Sequence, residues 1–131
     1  RQDYQLLYIA SGKAWFVFNG EKQEIQKGHM VLYRPGVTQQ YGYYLEDHPE
    51  VYWIHFTGSD AENLIQENGF TEPILYTGTD AEYQQLFLKI IWELQTIFQR
   101  SSPTTLSSAA SCSKKSMQQR KQQSVQYGSC Y

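Results

Sequence analysis

At 131 residues the chain is one domain, long enough to bury a real core. Its net charge of −2 hides a split: residues 1–100 hold seven Lys or Arg against thirteen Asp or Glu, a charge of −6, while residues 101–131 hold four bases and no acid. An acidic surface gains nothing from phosphate contacts, which makes residues 1–100 a poor nucleic-acid face. Both cysteines, Cys112 and Cys130, fall in the last segment, unlike a disulfide framework. With no transmembrane-length run and no signal-peptide pattern, the expected location is cytoplasmic. Arg1 leads almost at once into a strand, so the chain reads as a piece of something longer.

In chain order, residues 4–10 read as a strand ended by Ser11-Gly12. Ala14 to Phe18 form a second strand, and Asn19-Gly20 is the favoured two-residue hairpin turn into Glu21 to Gln26. Lys27-Gly28 turns into His29 to Tyr33, Pro35-Gly36 turns again, Gln39 to Leu45 is extended, and Val51 to Phe56 closes the set. Six short strands at this spacing predict a mostly β domain, a small antiparallel β-barrel or sandwich. Ser59-Asp-Ala-Glu62 and Thr79-Asp-Ala-Glu82 have the capping-box form of helix starts. The first predicts a short helix over about 60–68, stopped by Asn68-Gly69, with an extended return over Phe70 to Tyr76. The second opens a C-terminal amphipathic helix over 79–100, with Tyr83, Leu86, Phe87, Ile90, Ile91, Leu94, Ile97 and Phe98 along one stripe. That stripe must bury against the barrel or a second copy. The domain reading is thus a barrel over 1–78, a packing or dimerisation helix over 79–100 and a Ser- and Gln-rich tail over 101–131, expected to be disordered.

The chemistry-bearing residues give no enzyme signature. The three histidines, His29, His48 and His55, are scattered, with no His-x-His pair, and Gln39 stands three residues after Gly36 where a metal histidine would fall in such barrels. No metal or other cofactor is expected. There is no Gly-x-Ser-x-Gly, and the carboxylates Glu46, Asp47 and Glu50 cluster in a polar loop where charges are usually solvated. The aromatic set says more. Strand alternation puts Val51, Trp53 and His55 on one face and Tyr52, Ile54 and Phe56 on the other; Tyr41 and Tyr43 share a face, as do Leu6, Tyr8 and Ala10. Rings with hydrogen-bonding tips suit a sugar-like ligand; equally, they fill small barrels without any ligand. Arg34 and Lys22 could meet a polar group of a ligand or simply be surface charges.

The motifs Arg1-x-Asp-Tyr-x-Leu-Leu-Tyr-Ile, Ser11-Gly-Lys, Gly28-His-Met-Val-Leu-Tyr-Arg-Pro-Gly36, Gln40-Tyr-Gly42 and Tyr52-Trp-Ile-His-Phe-Thr-Gly58 resemble the N-terminal, cupin-like effector-binding domain of AraC-family transcriptional regulators. The resemblance covers roughly residues 1–99. It implies a jelly-roll-type barrel, a homodimer, and a small effector, often a sugar, held inside. By position, Trp53 and Tyr41 match barrel-lining residues of the arabinose sensor, and Tyr8 and Lys22 fall near two further such positions. The sequence lacks the arm that closes over the effector, a recognisable second dimerisation helix and any helix-turn-helix; DNA would be bound only through that missing domain. The reading is therefore a non-enzymatic sensor whose ligand meets Trp53, Tyr41, Tyr8, His55 and Lys22, with no membrane partner. Two alternatives stand beside it: a stand-alone cupin isomerase or epimerase acting on a sugar, and a self-associating module with a filled barrel.

Overall fold

The computed structural model describes residues 1–101 and 126–130. Among the described residues eight strands form two antiparallel sheets. A five-stranded sheet has the order β7 (Ile74–Tyr76), β4 (His29–Tyr33), β1 (Tyr4–Ser11), β6 (Glu50–Phe56) and β8 (Gln126–Cys130). A three-stranded sheet has the order β3 (Glu21–Gln26), β2 (Lys13–Phe18) and β5 (Tyr41–Tyr43). The chain is mostly β with a terminal helix, as its pattern predicts. The closed barrel of the sequence reading gives way to an open two-sheet sandwich among the described residues. The cause is visible at the edge of the small sheet. Glu21 to Glu24 of β3 are all exposed, leaving Ile25 as that strand's one buried residue, so β3 has no apolar face with which to carry the sheet onward.

Asn19 and Gly20, at φ of 53° and 80°, make the left-handed two-residue turn that the Asn-Gly pair specifies, and Phe18 pairs with Glu21 across it. The expected strand over Gln39 to Leu45 is cut to three residues, because Leu45–Asp47 winds into a single 3-10 turn with His48 N–H donating to the Leu45 carbonyl. Gly42 is required where it stands: a Cβ there would sit 2.5 Å from the Trp15 ring that lies across it.

The inner face packs Leu7, Ile9, Val31, Tyr33 and Val51 of the large sheet on Ala14, Phe16 and Ile25 of the small one. The outer face of the large sheet is buried too. Tyr8, Met30, Leu32 and Tyr52 pack against Ile65 and Phe70 and against Phe87 and Ile91. Those residues come from α1 (Ala61–Glu67), the turn after it, and α2 (Ala81–Ser101). The helix stripe is therefore divided: Phe87 and Ile91 are buried on the sheet, whereas Leu86 and Ile90 remain exposed. Glutamine and carboxylate contacts fix the same seat. Gln84 Nε2 donates to Glu50 Oε1 at 2.7 Å and meets the Tyr52 hydroxyl at 2.9 Å, and Tyr52 itself donates to Glu50.

Both helix starts lie one residue beyond the expected caps. Asp60, not Ser59, precedes α1 and makes no side-chain cap, while Asp80 Oδ1 accepts from the Glu82 amide at the start of α2. The α1 capping box fails because Glu62 is taken elsewhere. Arg34 Nε donates to both of its oxygens at 3.1 Å, Tyr4 donates from β1, and Arg34 Nη2 reaches the Phe70 carbonyl at 2.8 Å. Arg34 is thus the strut that ties both ends of α1 to the sheet. The stop at Asn68-Gly69 forms as expected, with Gly69 at φ of 86° and Phe70 N–H donating to the Ile65 carbonyl.

The tail expectation is corrected at its end: Gln126–Cys130 is a strand, β8, antiparallel to β6, with Gly128 opposite Trp53. An open strand edge offers backbone donors and acceptors to any chain, whatever its side chains, and a polar composition does not prevent that pairing. The remainder of the expected disordered tail lies outside the described residues. No helix among the described residues is long and apolar enough to cross a membrane. Replacing Arg34 with alanine removes three hydrogen bonds to α1 and the turn after it, and we expect the melting temperature to fall by about 3–8 °C. Amide exchange should rise across residues 61–70 while β1 and β6 stay protected; unchanged exchange in α1 would show that the helix is held by its apolar contacts alone.

Candidate functional site

Adjacent strands set the site through their register. Gln5 of β1 lies between Tyr33 of β4 and His55 of β6, and Leu7 lies opposite Trp53. Odd-numbered residues of β1 and β6 therefore share the inner face. From the facing sheet Tyr41 approaches, and Gln5 Nε2 donates to its hydroxyl at 3.1 Å, which bridges the two sheets. The Trp53 indole is half-buried and meets the His55 ring edge-on at 5.4 Å. Tyr41 stacks with Phe16 at 5.5 Å and lies 6.1 Å from Tyr33, so this part of the inner face is packed aromatic core.

The open end of this inner face is polar. Arg1 forks onto Asp3 with two contacts of 2.9 Å, and Asp3 Oδ2 lies 3.3 Å from His55 Nδ1. That last contact is not an ion pair near neutral pH. Burial, helped by the Arg1 charge and only partly offset by Asp3, pushes the His55 imidazole down to about 4. Arg1 in turn holds the Asp3 carboxyl below its ordinary range. Burial raises the phenols as well: Tyr41 goes up despite its bond from Gln5, Tyr33 is pushed up to about 12, and Tyr43 is raised further. The inner face is thus lined by uncharged hydrogen-bonding groups, with one self-neutralised ion pair at its mouth. One buried atom in it has unmet hydrogen-bonding capacity, Gln5 Oε1, whereas His55 Nδ1 faces Asp3 Oδ2. A buried polar group normally finds a partner.

The five residues named from the sequence do not meet. Trp53, Tyr41 and His55 share the inner face. Tyr8 is on the opposite face of β1, where it packs on Phe87 and Tyr83 of α2 and its hydroxyl donates to the Gly78 carbonyl at 3.3 Å. Lys22 is on the outer face of the small sheet, its ammonium 4.6 Å from the Trp15 ring centre. Tyr8 is even-numbered on β1 and Trp53 is opposite odd-numbered Leu7, so no register of this sheet brings the two rings to one cavity. Gln5 was overlooked as a polar residue in an apolar strand. Its phase with Leu7 and Ile9 is the signal that could have found it.

Among the described residues no group of three or more His, Cys, Asp or Glu is placed to hold a metal. A cavity of about 670 Å³ opens on the outer face of the large sheet, and none of Trp53, Tyr41 and His55 lines it.

An open sandwich with an uncharged, aromatic and hydrogen-bonding inner face describes a small-molecule sensor in outline. The model of the AraC-like ligand binding domain matches residues 1–119, and the chain belongs to that family. It is the effector-binding domain of an AraC-type regulator, a regulatory rather than catalytic class of module. No curated protein is a significant match to the chain.

The His55 environment sets a pH dependence. The unfolded imidazole titrates near 6.5 and the folded one near 4, so the unfolded state holds the extra proton between these values. Stability should therefore be full above pH 6.5 and fall as pH drops to 4, by on the order of 3 kcal/mol. His55→Gln removes this titration, and urea midpoints measured between pH 4 and 7 should then show a much flatter profile; an unaltered slope would place the titration elsewhere.

Proposed function

We propose that this domain senses an uncharged, polyhydroxylated ring, a sugar in the simplest case, at the mouth of the inner face. In this reading Trp53 stacks on the C–H face of the ring, and Tyr41, His55 and Gln5 take its hydroxyls. The observation that carries the proposal is the unpartnered buried Gln5 Oε1 on the same face as a half-buried indole. Gln5 Oε1 can only accept, so it asks for a hydroxyl or N–H donor; a neutral imidazole can accept or donate. A charged ligand is a poorer fit, because the one cation at the mouth, Arg1, is already forked onto Asp3.

Binding at this face would alter the balance between arrangements of a DNA-binding helix-turn-helix domain, through which alone the regulator would meet DNA in the bacterial cytoplasm. A second copy of the chain would pack on the side of α2 that carries Leu86 and Ile90, 55% and 40% exposed. The cupin-type jelly roll of the family supports the overall picture of a ligand held between sheets.

Calorimetry against mono- and disaccharides tests the site. A sugar that binds the wild type should lose its measurable heat in Trp53→Ala and bind roughly tenfold more weakly in Gln5→Leu, whereas Tyr8→Phe and Lys22→Ala should bind normally. Full heat retained in Trp53→Ala would sink the proposal.

A further inference from the structure

The 670 Å³ cavity on the outer face of the large sheet plays no part in the sensing site. Its floor is the outer side of the sheet, Leu6, Met30, Leu32 and, opposite Met30 on β7, Leu75. Ile65 and Phe70 form one wall from the α1 side, and Tyr83 of α2 forms the other. The volume lies within the range of small-molecule sites, roughly 300–1,000 Å³, and the lining has their usual make-up of apolar walls with a few polar groups at the rim. Those polar groups are Thr57, Ser59, Asp60, Asn68 and Thr77.

The charge at the rim selects the occupant. Asp60 is the one charged residue lining the cavity, and no Lys, Arg or His lines it. The neighbouring carboxylate, Glu62, is already met by Arg34, Tyr4 and Gln66. Asp60 accepts one bond, from Asn63, at its Oδ1. An acid entering head-first would bring its charge against Asp60, whereas an amine would find a counter-charge there. The excess of acids over bases in residues 1–100 acts in the same direction.

We propose that this cavity is a second ligand site, separate from the inner face, which takes a small apolar amine with its hydrocarbon on Leu6, Leu32 and Leu75 and its ammonium at Asp60. Such a ligand touches the sheet, α1 and the first turns of α2 at once. It therefore strengthens the seating of α2, the element whose other side is exposed.

Met30 makes the test specific, because it lines the cavity floor and the chain has one other methionine, Met117. With methyl-13C methionine in the full chain, hexylamine should shift the Met30 signal saturably and leave Met117 in place. Hexanol should bind more weakly, and hexanoate should give no saturable shift. Asp60→Asn should weaken hexylamine by roughly three- to tenfold and leave hexanol unchanged. Leu75→Trp, which fills the cavity, should abolish the hexylamine shift. If that variant fails to fold, a rise in wild-type melting temperature with hexylamine that hexanoate does not reproduce serves in its place. A Met30 signal unmoved by hexylamine, or moved equally by hexanoate, overturns the proposal. Neither result depends on sugar binding at Trp53.

Discussion

The central sheet buries both of its faces, and the pairing of β1 with β6 decides what each face receives. Leu7 opposite Trp53 and Tyr8 opposite Tyr52 is the register on which everything else rests. A slip of β6 by one residue against β1 would send Trp53 and His55 outward and force Tyr52 between the sheets. Packing defends this register from both sides, since Leu7, Ile9 and Val51 are fully buried within and Tyr8 and Tyr52 nearly so without. Alternation along two strands thus separates an inner face that carries Gln5, Trp53 and His55 from an outer face packed under the helices.

β6 is the common wall of the two compartments. Its odd residues, Trp53 and His55, look into the sandwich, while Glu50 and Tyr52 hold Gln84 of α2 on the outside. Any change in the position of this strand is felt on both sides within one residue. For a regulatory domain this layout has a consequence, because the strand that carries the proposed sensing residues also carries the seat of α2. α1 is held differently, by the Arg34 strut more than by breadth of contact, with Ala61 and Ile65 its only buried residues. The outer cavity lies between these two helices, one held by an ionic strut and one by rings.

Most of the strands were legible because turn chemistry is local. Asn19-Gly20, Gly28 and Asn68-Gly69 each demand a left-handed backbone that few other residues supply, and each falls at the boundary the sequence predicts. The helix starts were legible to within a residue. They slipped because a capping box is only one use for a glutamate, and Glu62 serves a long-range partner, Arg34, 28 positions away. Closure of the barrel and the strand at Gln126–Cys130 were not legible: both depend on which edges remain unpaired in space. The site residues divide in the same way. Trp53, Tyr41 and His55 come together because alternation fixes their side, whereas Tyr8 and Lys22 were joined to them by likeness of position, which ignores the face. Gln5 could have been read from its phase with Leu7 and Ile9, and was passed over because glutamine in a strand is ordinarily an outward residue.

Three indoles report on three surfaces of this domain: Trp53 inside the sandwich, Trp15 under Lys22 on the outer face of the small sheet, and Trp92 exposed on α2. A 15N-indole NMR titration with a sugar that binds therefore tests the central claim most directly. The account predicts that the Trp53 signal moves first and saturates with binding, while Trp15 stays fixed. A titration in which Trp15 or Trp92 responds and Trp53 does not would contradict it.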